Sequence, residues 1–89
     1  MISKKDKMKI IKLAKKYKIS TIYLFGSSLD KYNKGNDIDL GVKGIHPKLF
    51  FKFYGELIRS LSKSVDLVDL SKKSSFNNVV EKNGVKIYG

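Results

Sequence analysis

An α+β domain, with about four strands in a mixed, twisted sheet and helices packed on one face, is what three features of this sequence predict. Stretches of helical and strand period follow one another in the order helix, strand, turn, strand, helix, strand, helix, strand. The stretch Asp37–Val42 alternates strictly, with Ile38, Leu40 and Val42 on one face and Asp37, Asp39 and Gly41 on the other. The connection between the first two strands is short and allows antiparallel pairing or a tight crossover, whereas helices separate the later strands, as parallel neighbours require. No repeat or low-complexity linker divides the chain, so residues 1–89 are expected to form one domain around one core.

Each element has a local cause. Ser3 can cap a first helix running to about Tyr17 or Lys18, whose apolar stripe is Ile10, Leu13, Ala14 and Tyr17. Lys5, Lys9, Lys12 and Lys16 fall on another face of it and read as a solvated lysine face. Ser20–Phe25, β-branched and aromatic, is a central strand that stops at Gly26. Ser27–Lys31 suits one helical turn and Tyr32–Asn36 a polar loop, with Gly35-Asn36 a turn signal before the second strand. Pro47 suits the first turn of the main core helix, and His46 stands just outside it. From Lys48 to Ser62 that helix carries Phe50, Phe53, Tyr54, Leu57, Ile58 and Leu61 as a broad apolar face. Ser64–Leu70 is the third strand, Ser74-Ser75 starts a short helix to about Lys82, Asn83-Gly84 is a turn, and Val85–Tyr88 is a closing edge strand.

Composition narrows the function classes. The chain has no cysteine, which excludes a disulfide framework and a thiolate metal site. The opening residues lack the apolar core of a secretory signal and no apolar run reaches membrane-spanning length, so a cytoplasmic location is the default expectation. The net charge of +11 fits either a lysine-coated soluble surface or an anionic partner. Only Arg59 is an arginine, whereas dedicated nucleic-acid readers lean on arginine for bidentate and stacking contacts. Nucleic-acid binding is therefore kept as an alternative and not favoured.

The acids carry more information than the bases. Four of the eight, Asp37, Asp39, Asp66 and Asp69, lie in two short apolar stretches that read as strands. Asp37 and Asp39 project to the same side with about 6.6 Å between their Cα atoms, so they can converge on one cation or bracket two. Magnesium accepts one or two carboxylates plus substrate phosphate, and two ions about 3.5–4 Å apart can flank a reacting phosphorus. If Val65 and Leu67 join the core face of Ile38 and Leu40, Asp66 shares the face of Asp37 and Asp39 while Asp69 has the opposite parity. An Asp-x-Asp pair is otherwise an ordinary exposed pair, and the partner strand with Asp66 is what raises it above that. Gly26 lets backbone approach a phosphate closely, and Ser27 offers a hydroxyl and an N–H at a helix start. Alone, Gly-Ser is an ordinary strand-to-helix turn. No P-loop and no Gly-x-Gly-x-x-Gly pattern occurs.

In combination, Phe25-Gly26-Ser27, nine intervening residues, Asp37-Ile38-Asp39-Leu40 and then Val65-Asp66-Leu67-Val68 resemble the minimal nucleotidyltransferases of the DNA polymerase β-like superfamily. The likeness runs from the first helix to Asn83-Gly84-Val85-Lys86-Ile87-Tyr88. It implies that Gly26 and Ser27 bind the triphosphate, that Asp37, Asp39 and Asp66 hold two Mg²⁺ ions, and that Asp66 helps to deprotonate an acceptor hydroxyl. The implied reaction moves a nucleoside monophosphate, AMP from ATP, to a hydroxyl and releases pyrophosphate. Relatives this short pair with a HEPN-domain protein, adenylylating a tyrosine of that toxin and so acting as its antitoxin.

The chain departs from the family after Gly26-Ser27, where Ser28-Leu29-Asp30-Lys31 replaces an arginine-rich run, and Asn36 stands where many relatives have serine. Two other functions stay open behind the enzyme: an antitoxin that neutralises its partner by contact alone, and a small basic nucleic-acid-binding domain. His46 reads as a helix-start residue, and Tyr32 is the one tyrosine placed for base stacking.

Overall fold

The computed structural model describes residues 2–26 and 37–89. Helix α1 spans Lys4–Lys16, strand β1 Thr21–Phe25, β2 Asp37–Lys43, helix α2 Phe50–Ser60, β3 Ser64–Asp69, α3 Ser75–Asn83 and β4 Val85–Tyr88. A 3₁₀ turn, Pro47–Leu49, leads into α2.

The four strands form one sheet in the order β3-β2-β1-β4. β1 runs antiparallel to β2 and to β4, and β2 runs parallel to β3. The short connection thus resolves as an antiparallel pair, and α2 supplies the crossover that the parallel pair needs. β1 is central, and β4 closes an edge as expected.

The period-2 pattern decides which face is dry. Ile22 and Leu24 from β1, Ile38, Leu40 and Val42 from β2, and Val65 and Leu67 from β3 are all buried. They meet Ile10, Ala14 and Tyr17 of the first helical segment and Phe53 and Leu57 of α2 in one core. Tyr17 packs edge-on against Phe53 with ring centroids 5.5 Å apart, a favoured aromatic geometry.

α1 and α2 lie side by side in opposite directions, because their polar links run in reverse order. Ser62, just past α2, donates from Oγ to Asp6 Oδ2 at 2.6 Å, and Lys9 Nζ donates to the Ser60 carbonyl at 2.8 Å. Lys16 pairs with Glu56 at 2.8 Å. Two lysines of the supposedly solvated face, Lys9 and Lys16, are therefore helix–helix ties.

The caps explain where the helices start. Ser3 Oγ accepts the Asp6 N–H at 3.1 Å, and Ser74 Oγ accepts the Asn77 N–H at 3.0 Å. His46 Nδ1 accepts the Lys48 N–H at 3.2 Å, the helix-start role its position suggested. Ile58 departs from expectation: it is 58% exposed, since it falls on the α2 flank shared with Phe51, away from Phe53 and Leu57.

Helices α1 and α2 keep to the core face, but α3 reaches the other. A Cβ on Gly41 would come within 3.3 Å of Val80 Cγ1 and 2.6 Å of Leu70 Cδ1. Gly41 alternates with Leu40 and Val42, so the bare glycine is the hollow in the polar face into which α3 settles. The ion pair Lys43–Glu81 at 2.7 Å ties β2 to α3 beside that contact.

Candidate active site

Gly26 ends β1 with φ +65°, in the left-handed region that glycine enters without steric cost. A Cβ there would lie 2.7 Å from Asp39 Oδ2 and 3.4 Å from its Cγ. The Asp39 carboxylate therefore rests against bare Gly26 backbone, and glycine is required twice over, for its dihedral and for this approach.

Register assembles the rest. Asp39 stands opposite Phe25 on β1 and opposite Asp66 on β3. Residues paired across a ladder share a face, and neighbouring strands lie about 4.8 Å apart, so Asp39 and Asp66 are cross-strand neighbours on one side of the sheet. Asp37 pairs with Ser64 and shares that side, two residues before Asp39. Asp37 and Asp66 are exposed and Asp39 is half-buried. The three acids collect where β1 ends and β2 and β3 begin, on the face away from α1 and α2.

Asp69 does not join them. Its Oδ1 accepts the Ser71 N–H at 2.9 Å, and its carbonyl accepts from Asn77 Nδ2 at 3.3 Å, so it shapes the turn into α3. Ser27 lies outside the described residues, as do Lys31, Asn36 and Tyr32.

The donor set suits a hard divalent cation. Asp37, Asp39 and Asp66 offer only carboxylate oxygens, on one side of the sheet, beside a glycine with no side chain to block a phosphate. Among the described residues no three acidic or histidine side chains enclose a single metal position. Magnesium does not need such a cage, since one or two carboxylates and substrate phosphates complete its shell.

One feature escaped the sequence. A cleft of about 290 Å³ lies between α3 and the end of β1, lined by Phe25, Gly26, Phe76, Val79, Val80 and Asn83, with Gly84 behind. Phe76 and Val79 are more than half exposed. The spacing 76, 79, 80, 83 was the available signal, and it reads as an ordinary packing stripe until α3 is known to cross the acidic face.

Residues 8–89 match the polymerase β nucleotidyltransferase family. Among solved structures, a toxin–antitoxin complex with AMP-PNP is 31% identical, with TM-score 0.76, covering 93% of this chain and 73% of that one. The MNT antitoxin complex with a tri-AMPylated HEPN toxin from Shewanella oneidensis gives 30% identity and TM-score 0.70, over 94% of this chain and 70% of that chain. The MntA–HepT toxin–antitoxin complex gives 29% and 0.69, over 94% and 70%. No curated protein matches. With the fold, the order of the three motifs and the family match in agreement, the chain belongs to the polymerase β nucleotidyltransferase family.

Proposed function

We propose that this protein transfers AMP from ATP to a tyrosine hydroxyl of a HEPN-domain toxin and thereby acts as its antitoxin. The observation that carries the reading is the register that sets Asp66 opposite Asp39, with the Asp39 carboxylate against Gly26. The similar structures support the chemistry and the partner: one holds AMP-PNP, and another holds a tri-AMPylated HEPN toxin beside its antitoxin.

The residues divide the work as follows. Bare backbone at Gly26, with Ser27 after it, receives the triphosphate. Asp37, Asp39 and Asp66 would hold Mg²⁺, which when bound neutralises phosphate charge and makes the acceptor hydroxyl more acidic. Asp66, exposed at the edge strand, takes the proton as the tyrosine oxygen attacks the α-phosphorus. The new P–O bond forms as the bond to pyrophosphate breaks, and pyrophosphate leaves in line. Positioning and charge stabilisation supply most of the rate, because the protein forms no covalent intermediate.

The chain has little surface from which to build an acceptor pocket, so the partner supplies part of it. The test is intact mass of the partner toxin after incubation with this protein, ATP and Mg²⁺. A gain of one or more AMP groups is expected, falling at least about 100-fold in rate with Asp37→Asn or Asp39→Asn. Full transfer by both variants would refute the assignment. Protection of cells by both variants without transfer would point instead to neutralisation by contact.

A further inference from the structure

We infer that the free edge of β3, at Leu67, is where the acceptor protein docks: a short extended segment of the partner adds there as a strand and brings its tyrosine beside Asp66. This rests on the nucleotidyltransferase reading and adds the surface, and the backbone conformation, by which the acceptor is held.

Hydrogen-bond parity opens the edge. The Leu70 N–H donates to the Val42 carbonyl at 2.8 Å, and Val42 pairs with Asp69 across the parallel ladder. Alternate residues of such a ladder turn their backbone to the neighbouring strand, so Ser64, Asp66 and Val68 face β2. Val65, Leu67 and Asp69 turn their N–H and C=O groups outward. Side chains take the carbonyls at both ends of this row. Tyr54 Oη donates to the Val65 carbonyl at 2.8 Å, and Asn77 Nδ2 to the Asp69 carbonyl at 3.3 Å. Between them, among the described residues, nothing bonds the outward N–H and C=O of Leu67. An open strand edge is a template for another strand, and one this short suits a brief visitor.

Strand order assigns the visitor. β2 holds Asp39 between Gly26 at the end of β1 and Asp66 on β3. With the triphosphate at Gly26, pyrophosphate leaves on the β1 side and in-line attack comes from the β3 side. The other edge strand, β4, lies beyond β1 on the leaving side. The protein that carries the nucleophile therefore comes in over β3. A second copy of this chain fits badly: each carries a net charge of +11, and joined β3 edges would crowd two sets of Asp37, Asp39 and Asp66 together.

Alternation then places the acceptor side chain. A partner residue paired with Leu67 shares its face, toward α2, while the residues flanking it stand opposite Asp66 and Val68 on the carboxylate face. A tyrosine opposite Asp66 lies one strand spacing away, about 4.8 Å between backbones, with its hydroxyl in reach of the carboxylate that takes its proton. Backbone pairing reads conformation and not sequence, so the acceptor needs an accessible extended segment with tyrosine next to the pairing residue.

The test follows amide hydrogen exchange at Leu67 in the isotope-labelled full chain, alone and bound to the partner toxin without ATP. In the free chain Leu67 should exchange fast while Asp66 and Val68, bonded to β2, exchange slowly, and the toxin should slow Leu67 at least about 10-fold. Chemical synthesis of the chain with an N-methyl group on Leu67 removes the outward donor and keeps the side chain. The KM for the toxin should rise about 10-fold, with melting temperature, ATP affinity and kcat held. If the methylated chain melts early, the exchange measurement decides alone. AMP transfer by the wild type with Leu67 exchange unchanged by the toxin, or with the KM unchanged by methylation, would overturn the docking edge and leave the enzyme reading standing. Protection of Leu67 that grows with the concentration of this chain alone would give the edge to a second copy and overturn the proposal. No AMP transfer by the wild type would overturn both.

Discussion

Gly26 shows how much a single missing side chain can carry. Its φ of +65° would cost most L-residues about 1–2 kcal/mol, and a Cβ would additionally press on Asp39 Oδ2. Gly26→Ala is therefore expected to lower stability by about 1–3 kcal/mol in urea denaturation and to abolish transfer, since the carboxylate it displaces is one assigned to the proposed reaction. Asp6 makes the opposite case, a carboxylate that is nearly fully buried and serves structure alone. It receives the Ser62 hydroxyl at 2.6 Å from the far end of α2, and it sits in the first turn of α1, where the helix dipole favours an anion. Asp6→Ala should destabilise by about 1–3 kcal/mol, read from the urea midpoint, with nucleotide affinity unchanged in the protein that remains folded. The position was legible after the fact: Asp6 stands four residues before Ile10, on the apolar stripe itself. A charged residue on such a stripe needs a buried partner, and Ser62 is too distant in sequence to be seen.

Among elements, the two ion pairs hold helices in different ways and titrate in opposite directions. Lys16 holds the Glu56 carboxyl below the usual carboxylate range, with the Tyr17 hydroxyl adding to the effect. Proximity to Glu56, with burial second, in turn pushes the Tyr17 hydroxyl up. Neither the hydroxyl nor Glu56 Oε2 completes a hydrogen bond of regular geometry. A carboxylate whose folded pKa is depressed stabilises the fold above its unfolded pKa, and that contribution disappears as pH falls through the folded value. Lys43, raised by its hydrogen bond and charge attraction to Glu81, stabilises below the ordinary lysine value of 10.5 and loses the contribution only as pH climbs past the raised one. Thermal melts should thus hold level across neutral pH and fall in acid, and Glu56→Gln should flatten the acid limb. Both pairs are partly exposed, so each effect should be small and shrink with salt. Strands and capped helices were readable because their periods and start signals are local. The placement of α3 was not, because it depends on a hollow at Gly41 that exists only once β2 has neighbours. Ile58 misled for a related reason: its spacing from Tyr54 and Leu61 is helical, yet the stripe drifts past the edge of the core.

At the scale of the molecule, the sheet separates two jobs. One face, covered by α1 and α2, holds the core, and the other presents the carboxylates and the cleft under α3. The parity argument from Val65 and Leu67 to Asp66 was sound because burial on one face fixes register, and a slip by one residue would have turned Asp66 inward. Ser27 and the residues to Asn36, where the chain departs from its family, lie outside the described residues, so of the proposed phosphate cradle only Gly26 is described. The most direct measurement is the intact mass of the partner toxin after incubation with ATP, Mg²⁺ and the Asp66→Asn variant, whose place beside Asp39 depends wholly on the parallel β2–β3 register. The variant should fold normally, because Asp66 is exposed, and should leave the toxin unmodified while the wild type adds AMP. Wild-type rates of AMP addition by Asp66→Asn would contradict the account.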